Sequence, residues 1–174
     1  MFYSAQYPSP LGAITLASDG THLLGLWFEG QKYFGGTVTQ PMEENQDLAV
    51  FHTVTDWLNR YFAGECPSAA SLPLAPSGSE FRKEVWEILL EIPYGEVITY
   101  GQISEKMAAR RSLPHMSSQA VGGAVGHNPI SIIIPCHRVV GSKGKLTGYA
   151  GGTDKKLWLL KHEHAELSNT AARS

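Results

Sequence analysis

Cysteine is scarce in this chain. Only Cys66 and Cys136 occur among 174 residues, and no Cys-x-x-Cys pair exists. That scarcity excludes a disulfide-built scaffold and a thiolate zinc ribbon. A single Cys66–Cys136 bridge stays open as an alternative, but two free thiols of a reduced, cytoplasmic protein are the simpler reading. Long apolar runs are also missing. The longest aliphatic stretch is broken by Pro135, so no membrane span is expected. The start, Met1-Phe2-Tyr3-Ser4-Ala5-Gln6-Tyr7-Pro8, has neither a basic leader nor an apolar core and does not read as a signal peptide. Strong net charge is absent too: 14 Lys+Arg face 16 Asp+Glu, for a formal charge of −2. The seven histidines lack ligand-like spacing, and His162 and His164 are only two apart. No metal and no cofactor are therefore expected.

What is present is uneven. Residues 1–75 hold two basic against seven acidic residues, a balance of −5, and residues 76–174 hold twelve against nine, a balance of +3. A positive field confined to one half fits a polyanion partner for that half alone. The first half reads as a small antiparallel sheet with a helix. Residues 2–8, 11–18 and 21–28 alternate apolar and polar positions between turn residues, which predicts three strands. Residues 46–63 keep a 3–4 apolar spacing through Leu48, Phe51, Val54, Leu58, Tyr61 and Phe62, which predicts an amphipathic helix ended by Gly64. A Pro/Ser/Ala-rich linker follows, and the predicted domains are 1–75 and 76–174. His22, His52 and Cys66 carry no recognisable site.

The second half opens at Ser79, a predicted N-cap. Phe81, Val85, Trp86, Leu89 and Leu90 are expected on one helix face, and Pro93-Tyr94-Gly95 breaks that helix. Two short helices follow, Tyr100–Met107 and about Ser117–Val125, joined by a loop over 109–116 with Arg110, Arg111 and Pro114. The pair has the outline of a helix-turn-helix. Its second helix is nearly bare: Ala120, Gly122, Gly123, Ala124 and Gly126. Glycine inside a helix costs about 1 kcal/mol against alanine, so this composition needs a reason. One reason is tight helix–helix packing. Another is close approach to a duplex, where a bare helix enters the minor groove and contacts are nearly sequence-blind. A last helix is predicted over 155–163 with Leu157, Leu160 and Trp158 inward. Residues 168–174 are polar and expected to fray.

The stretch Ile132-Ile133-Ile134-Pro135-Cys136-His137-Arg138-Val139-Val140 concentrates the chemistry. Three β-branched residues predict a buried strand that Pro135 ends. A thiol, an imidazole and a guanidinium follow at once. A cysteine after an apolar run is often a small core residue, but Pro, His and Arg are poor core neighbours. Gly141, Gly144, Gly148, Gly151 and Gly152, with Tyr149 among them, then predict a loop that something approaches closely. Free cysteine titrates near ~8.5, and the thiolate is the nucleophile. His137 is the nearest base, but neighbours in an extended chain point apart, so a water is expected between His137 and Cys136. Glu163, late in the last helix, is within range to orient the imidazole. On this reading Cys136 rests ionised.

The run Ile134-Pro135-Cys136-His137-Arg138-Val139-Val140-Gly141 with Gly148-Tyr149-Ala150-Gly151-Gly152 closely resembles the 6-O-alkylguanine-DNA alkyltransferases, also called methylated-DNA–protein-cysteine methyltransferases. The resemblance spans about Phe81 to Glu163 and extends more loosely back to Met1. It implies an α+β fold, a ribonuclease H-like N-terminal sheet with a helix plus a C-terminal winged helix-turn-helix domain. It implies direct, single-turnover transfer of an alkyl group from 6-O-alkylguanine in double-stranded DNA to Cys136, by a monomer. Cys136 would be the nucleophile, His137 the base acting through water, and Glu163 the residue that orients it. The damaged guanine would be flipped out beside the thiol. The Cys136 and Val139 carbonyls would accept from its exocyclic amine, Tyr149 would bond ring N3, and the Ala150 N–H would face the alkylated oxygen. Val125 would supply an apolar wall, Asn128 would tie the recognition helix to the active-site segment, and Tyr100 would press on the target phosphate. Gln119, Ala120, Gly122 and Gly123 would meet DNA. Arg138 is grouped with them, although a structural role is also open to it.

One position departs from the family. An Arg usually precedes the Ala-Val-Gly of the bare helix and fills the gap left by the flipped base; here Gln119 stands there. Some relatives also carry a structural zinc in the first domain, and the lack of any cysteine before Cys66 argues against one here. Three other readings remain: an alkylated-DNA-binding damage sensor without chemistry, a winged-helix regulator, and a cysteine hydrolase. A sensor would lack the cysteine, the bare helix suits a regulator poorly, and no Asn or Asp orienter for a hydrolase is evident.

Overall fold

A computed structural model describes residues 1–165, so the tail expected to fray lies outside the described range. The chain divides into two compact units. The first is Met1–Ser77 with Pro129–Ile133, and the second is Gly78–Asn128 with the chain from Ile134 onward. Among the described residues no helix is long and apolar enough to cross a membrane.

In the first unit, β1 (Phe2–Ser9), β2 (Gly12–Ser18) and β3 (Leu23–Phe28) form the predicted meander. A fourth strand, β4 (Met42–Glu44), pairs parallel to β1, and the sheet order is β3-β2-β1-β4. The sheet is therefore mixed, not antiparallel throughout. Three residues ending in two glutamates carry no alternation, so β4 leaves no signal in the sequence. Ile14, Leu16, Leu26, Trp27 and Phe28 are buried with Phe51, Val54, Leu58 and Tyr61 of α1 (Ala49–Phe62). The exposed edge of β3 is covered by distant chain. The Leu26 N–H donates to the Pro129 carbonyl at 2.8 Å, and the Ser131 N–H donates to the Leu26 carbonyl at 3.0 Å. Pairing of this kind satisfies an edge that would otherwise template association.

That edge contact decides the fate of the isoleucine run. Ile132, Ile133 and Ile134 are buried as predicted but do not form a strand. Ile132 has φ +70, and the Ile133 N–H bonds the Ser131 carbonyl at 2.8 Å, the strained γ-turn arrangement. Pro135 then sits at φ −82, ψ 66, and the Cys136 N–H bonds the Ile134 carbonyl at 2.8 Å. This is an inverse γ-turn, and the proline ring favours its φ. The chain must leave one unit and enter the other within a few residues, and two tight turns accomplish what a strand could not.

The second unit is helical. Ser79 caps α2 (Glu80–Leu90) by accepting the Arg82 N–H. Its buried face is Val85, Trp86, Ile88 and Leu89, while Leu90 is exposed and Phe81 only half-buried. β5 (Ile98–Thr99) leads into α3 (Tyr100–Arg110), closed by a capping box between Thr99 and Gln102. This helix runs a turn longer than predicted. Then α4 (Ser118–Gly126) starts at the Ser117 cap. A 3-10 turn over Cys136–Arg138 precedes β6 (Val139–Val140), which pairs parallel to β5. The described sheet of this unit is thus only two residues long in each strand. The last helix is α5 (Thr153–His162).

α2 and α4 are joined by a buried bond. The Trp86 indole Nε1–H donates to the Ala124 carbonyl at 2.9 Å, one of the carbonyls that a helix end leaves without an intrahelical partner. Trp86→Phe strands that oxygen in apolar surroundings. The expected cost is about 1–3 kcal/mol of stability, read as a lower urea midpoint with an unchanged m-value.

Candidate active site

The second unit builds its site around one carboxylate. Glu163 lies just past α5 and is almost fully buried. Its backbone approach is fixed from below by the Tyr94-Gly95 turn. Gly95 has φ +84, and a Cβ there would lie 3.1 Å from the Glu163 carbonyl oxygen, so only glycine fits without strain. The carboxylate takes three bonds. The His137 Nε2–H donates to Oε2 at 2.7 Å, Arg138 Nε donates to Oε1 at 2.7 Å, and Arg138 Nη2 donates to Oε2 at 3.0 Å. Arg138 Nη1 donates to the Ile92 carbonyl at 2.7 Å. Burial by itself would raise the Glu163 carboxyl, but the bonds from His137 and Arg138 outweigh it and hold the group well below the usual carboxylate range.

An ionised Glu163 fixes the imidazole tautomer. Nε2 carries the proton, which leaves Nδ1 as a bare acceptor. That nitrogen is buried and has no hydrogen-bond partner among the described residues. Burial lowers the His137 pKa; the Glu163 contacts oppose this, and the charges of Arg138 and Lys156 add to it. The ring is neutral at neutral pH. Cys136 and His137 sit on one 3-10 turn, not on a strand, so they diverge by the turn's own geometry instead of by pleat alternation.

The resting state expected of Cys136 is corrected here. The residue is only 5% exposed. Burial pushes its thiol up, opposed by a hydrogen bond from Asn128, the charge of Lys156, a backbone bond and a hydrogen bond from Tyr149. The thiol therefore rests protonated. Asn128 is buried on the turn after α4, and its Nδ2 donates to the Ile134 carbonyl at 2.7 Å. Val125 and Val139 are buried, whereas Tyr100, Tyr149 and Ala150 are half-buried. Burial raises the Tyr100 phenol; the neighbouring Thr147 side chain opposes this, and Cys136 adds to the rise.

Lys156 was not among the predicted residues. It is fully buried on α5, and its Nζ donates to the Thr147 carbonyl at 2.7 Å and the Gly148 carbonyl at 3.4 Å. Burial lowers its pKa to about 8, opposed by Cys136. The inward stripe of α5 is Lys156, Leu159 and Leu160, not Leu157 with Trp158, which are half-buried. Spacing would have found it: Lys156, Leu159, Leu160 and Glu163 fall at i, i+3, i+4 and i+7, but charges at both ends disguised an inward face.

On the expected DNA surface, the Arg138 guanidinium is bound to Glu163 and to the Ile92 carbonyl, which fits the structural role open to it. On α4, Ala124 faces inward, while Gln119, Ala120 and Gly123 are exposed. The packing explanation for the α4 glycines also fails. A Cβ at Gly123 or Gly126 would meet nothing within 4 Å, and one at Gly122 would meet only the Tyr100 ring at 4.0 Å. Among the described residues no group of three His, Cys, Asp or Glu side chains is placed to hold a metal.

Residues 80–165 match the family model described as 6-O-methylguanine DNA methyltransferase, DNA binding domain, and residues 2–76 match its ribonuclease-like domain. The chain is 41% identical to the methylated-DNA–protein-cysteine methyltransferase of Haemophilus influenzae, over 92% of this chain and 86% of that one. It is 46% identical to the protein of the same name from Methanosarcina acetivorans, over 92% of this chain and 97% of that one. Its fold is similar to the Mycobacterium tuberculosis OGT crystallised in complex with DNA: the TM-score is 0.81 at 38% identity, covering 97% and 99% of the two chains.

The raised thiol can be read directly. Haloacetamide labelling of Cys136 in the free protein is expected to accelerate with pH through an inflection above the ordinary cysteine value of about 8.5. The exposed Cys66 serves as the internal reference. An inflection below about pH 7 would establish a resting thiolate.

Proposed function

The chain belongs to the 6-O-methylguanine DNA methyltransferase family, and we propose that within it Cys136 is the methyl acceptor, His137 the base and Glu163 the residue that orients the base. The reaction is the repair of O6-methylguanine in DNA by transfer of the methyl group to a cysteine of the protein. The observation that carries the assignment is the imidazole itself. It is neutral, it is locked by an ionised carboxylate through Nε2, and it keeps Nδ1 as an unsatisfied buried acceptor. Such a nitrogen suits proton abstraction from a nearby thiol through one water.

The steps balance as follows. The Cys136 thiol gives its proton to Nδ1 through that water. The sulfur attacks the methyl carbon, the S–C bond forms, and the bond from carbon to O6 breaks. The electron pair stays on guanine, which takes up the proton and leaves as the normal base. Asn128, Tyr149 and the Lys156 charge all favour the thiolate and offset part of the cost of ionising a buried sulfur. The Cys136 and Val139 carbonyls, the Tyr149 hydroxyl and the Ala150 N–H would read the flipped guanine against the Val125 wall, with Tyr100 on the target phosphate. The product is a thioether that no group of the site is able to hydrolyse, so each molecule reacts once.

DNA would be met by the exposed face of α4. Glycines without a packing duty support close approach of a duplex minor groove, by a monomer, with Gln119 in the gap left by the extruded base. Two free thiols support a reducing compartment such as the cytoplasm.

Incubation with an oligonucleotide containing O6-methylguanine is expected to add about 14 Da to Cys136 in stoichiometric yield, read by intact mass and peptide mapping, and Cys136→Ser should abolish it. Binding without a mass shift would favour the damage-sensor reading instead. Gln119→Arg supplies a cation able to stack and to meet phosphate. It should tighten duplex binding several-fold with the single-turnover rate on bound substrate preserved. Unchanged affinity by fluorescence anisotropy would remove Gln119 from the base-gap role.

A further inference from the structure

We infer that Arg138 is a positioning residue for proton transfer: by chelating Glu163 it supplies a counter-charge to the buried carboxylate, and so keeps His137 uncharged and able to accept a proton. The inference rests on His137 being the base, and it adds a reason why that base is available.

A carboxylate with 0% side-chain exposure is costly without a cation beside it. Arg138 and His137 both bond to it. Arg138 makes two bonds at 2.7 and 3.0 Å, and His137 makes one at 2.7 Å. The guanidinium is charged at every accessible pH, so the Arg138–Glu163 pair is already neutral. A proton added to His137 would then create a net positive charge in a buried cluster. The geometry keeps the guanidinium in this role and nowhere else. Its Nη1 is tied to the Ile92 carbonyl, and its plane lies over the Tyr94 ring at 5.8 Å.

Every charged group facing the imidazole points the same way once Glu163 is neutralised. α5 presents Glu163 and Lys156, and the imidazole's own turn presents Cys136 and Arg138. The segment after α2 contributes only the Ile92 carbonyl and the Tyr94 ring. Lys156 and Arg138 both disfavour an imidazolium, in addition to the dominant effect of burial. Remove the guanidinium charge and a proton on His137, which bonds Oε2 at 2.7 Å, becomes the means of balancing the carboxylate. The imidazole would then take a proton and hold it, and it could no longer accept one from Cys136.

Arg138→Gln keeps hydrogen-bond donors at the position and removes the charge. Two readouts separate the proposal from the reading beneath it. Imidazole nitrogen NMR shifts should report a neutral His137 at pH 7 in the wild type and a protonated one in Arg138→Gln. The single-turnover methyl-transfer rate of Arg138→Gln should fall about tenfold or more at pH 7 and recover as the pH is raised toward about 9. Arg138→Lys restores the charge; its imidazole should stay neutral, and its pH profile should keep the wild-type shape. A neutral His137 in the Gln variant, or a rate lowered equally at all pH values, overturns the proposal. If the Gln variant does not fold, the Lys variant decides, and a protonated His137 in it is equally fatal. Failure of the base assignment looks different: His137→Gln would then transfer methyl groups at an undiminished rate, whatever charge the imidazole carries in the Arg138 variants.

Discussion

The Glu163 carboxylate, buried and shared between an imidazole and a guanidinium, is the constraint from which the rest of the site follows. An isolated carboxylate in that position would be costly enough to protonate or to unfold its surroundings. Arg138 makes it stable, and His137 makes it useful. Because Glu163 is ionised, Nε2 must carry the imidazole proton and Nδ1 must be the acceptor. The same bonds join Glu163, just past α5, to the 3-10 turn that carries Cys136, so the proposed base and the proposed nucleophile are held by one structural feature.

The site is restrained at rest. The Cys136 thiol is buried and protonated, the His137 ring is neutral, and Lys156 is held on the carbonyls of Thr147 and Gly148. Burial opposes charge on all three. A protein that reacts once gains from this, because a resting thiolate would be consumed by any passing electrophile. On the proposed mechanism, substrate supplies the carbon to attack, and the donors that stabilise the departing base come from the protein.

Much of the site was legible because its residues are neighbours in sequence or stand at diagnostic positions. Cys136, His137 and Arg138 adjoin one another, and Glu163 ends a helix that the pattern located to within two residues. The three long strands, α1, the Ser79 cap and the pair α3–α4 were all readable from alternation, 3–4 spacing and turn residues. The misreadings have a common cause. The isoleucine run was correctly called buried, but its backbone is set by the edge of β3, more than a hundred residues away. β4 was invisible because three residues paired to β1 need no pattern of their own. Lys156 escaped because a buried charge contradicts the rule by which inward faces are found.

The sequence by itself pointed to the candidate site residues and to the elements that carry them, because propensity, capping and apolar period act over a few residues. Only the tertiary structure decided the charge states. Whether a thiol rests as thiolate, which imidazole nitrogen is bare and which cation serves a carboxylate depend on burial and on partners brought from distant positions. Glu163 is 26 residues from His137 along the chain, and the energy of a proton in that cluster is fixed by atoms within a few ångströms of it in space.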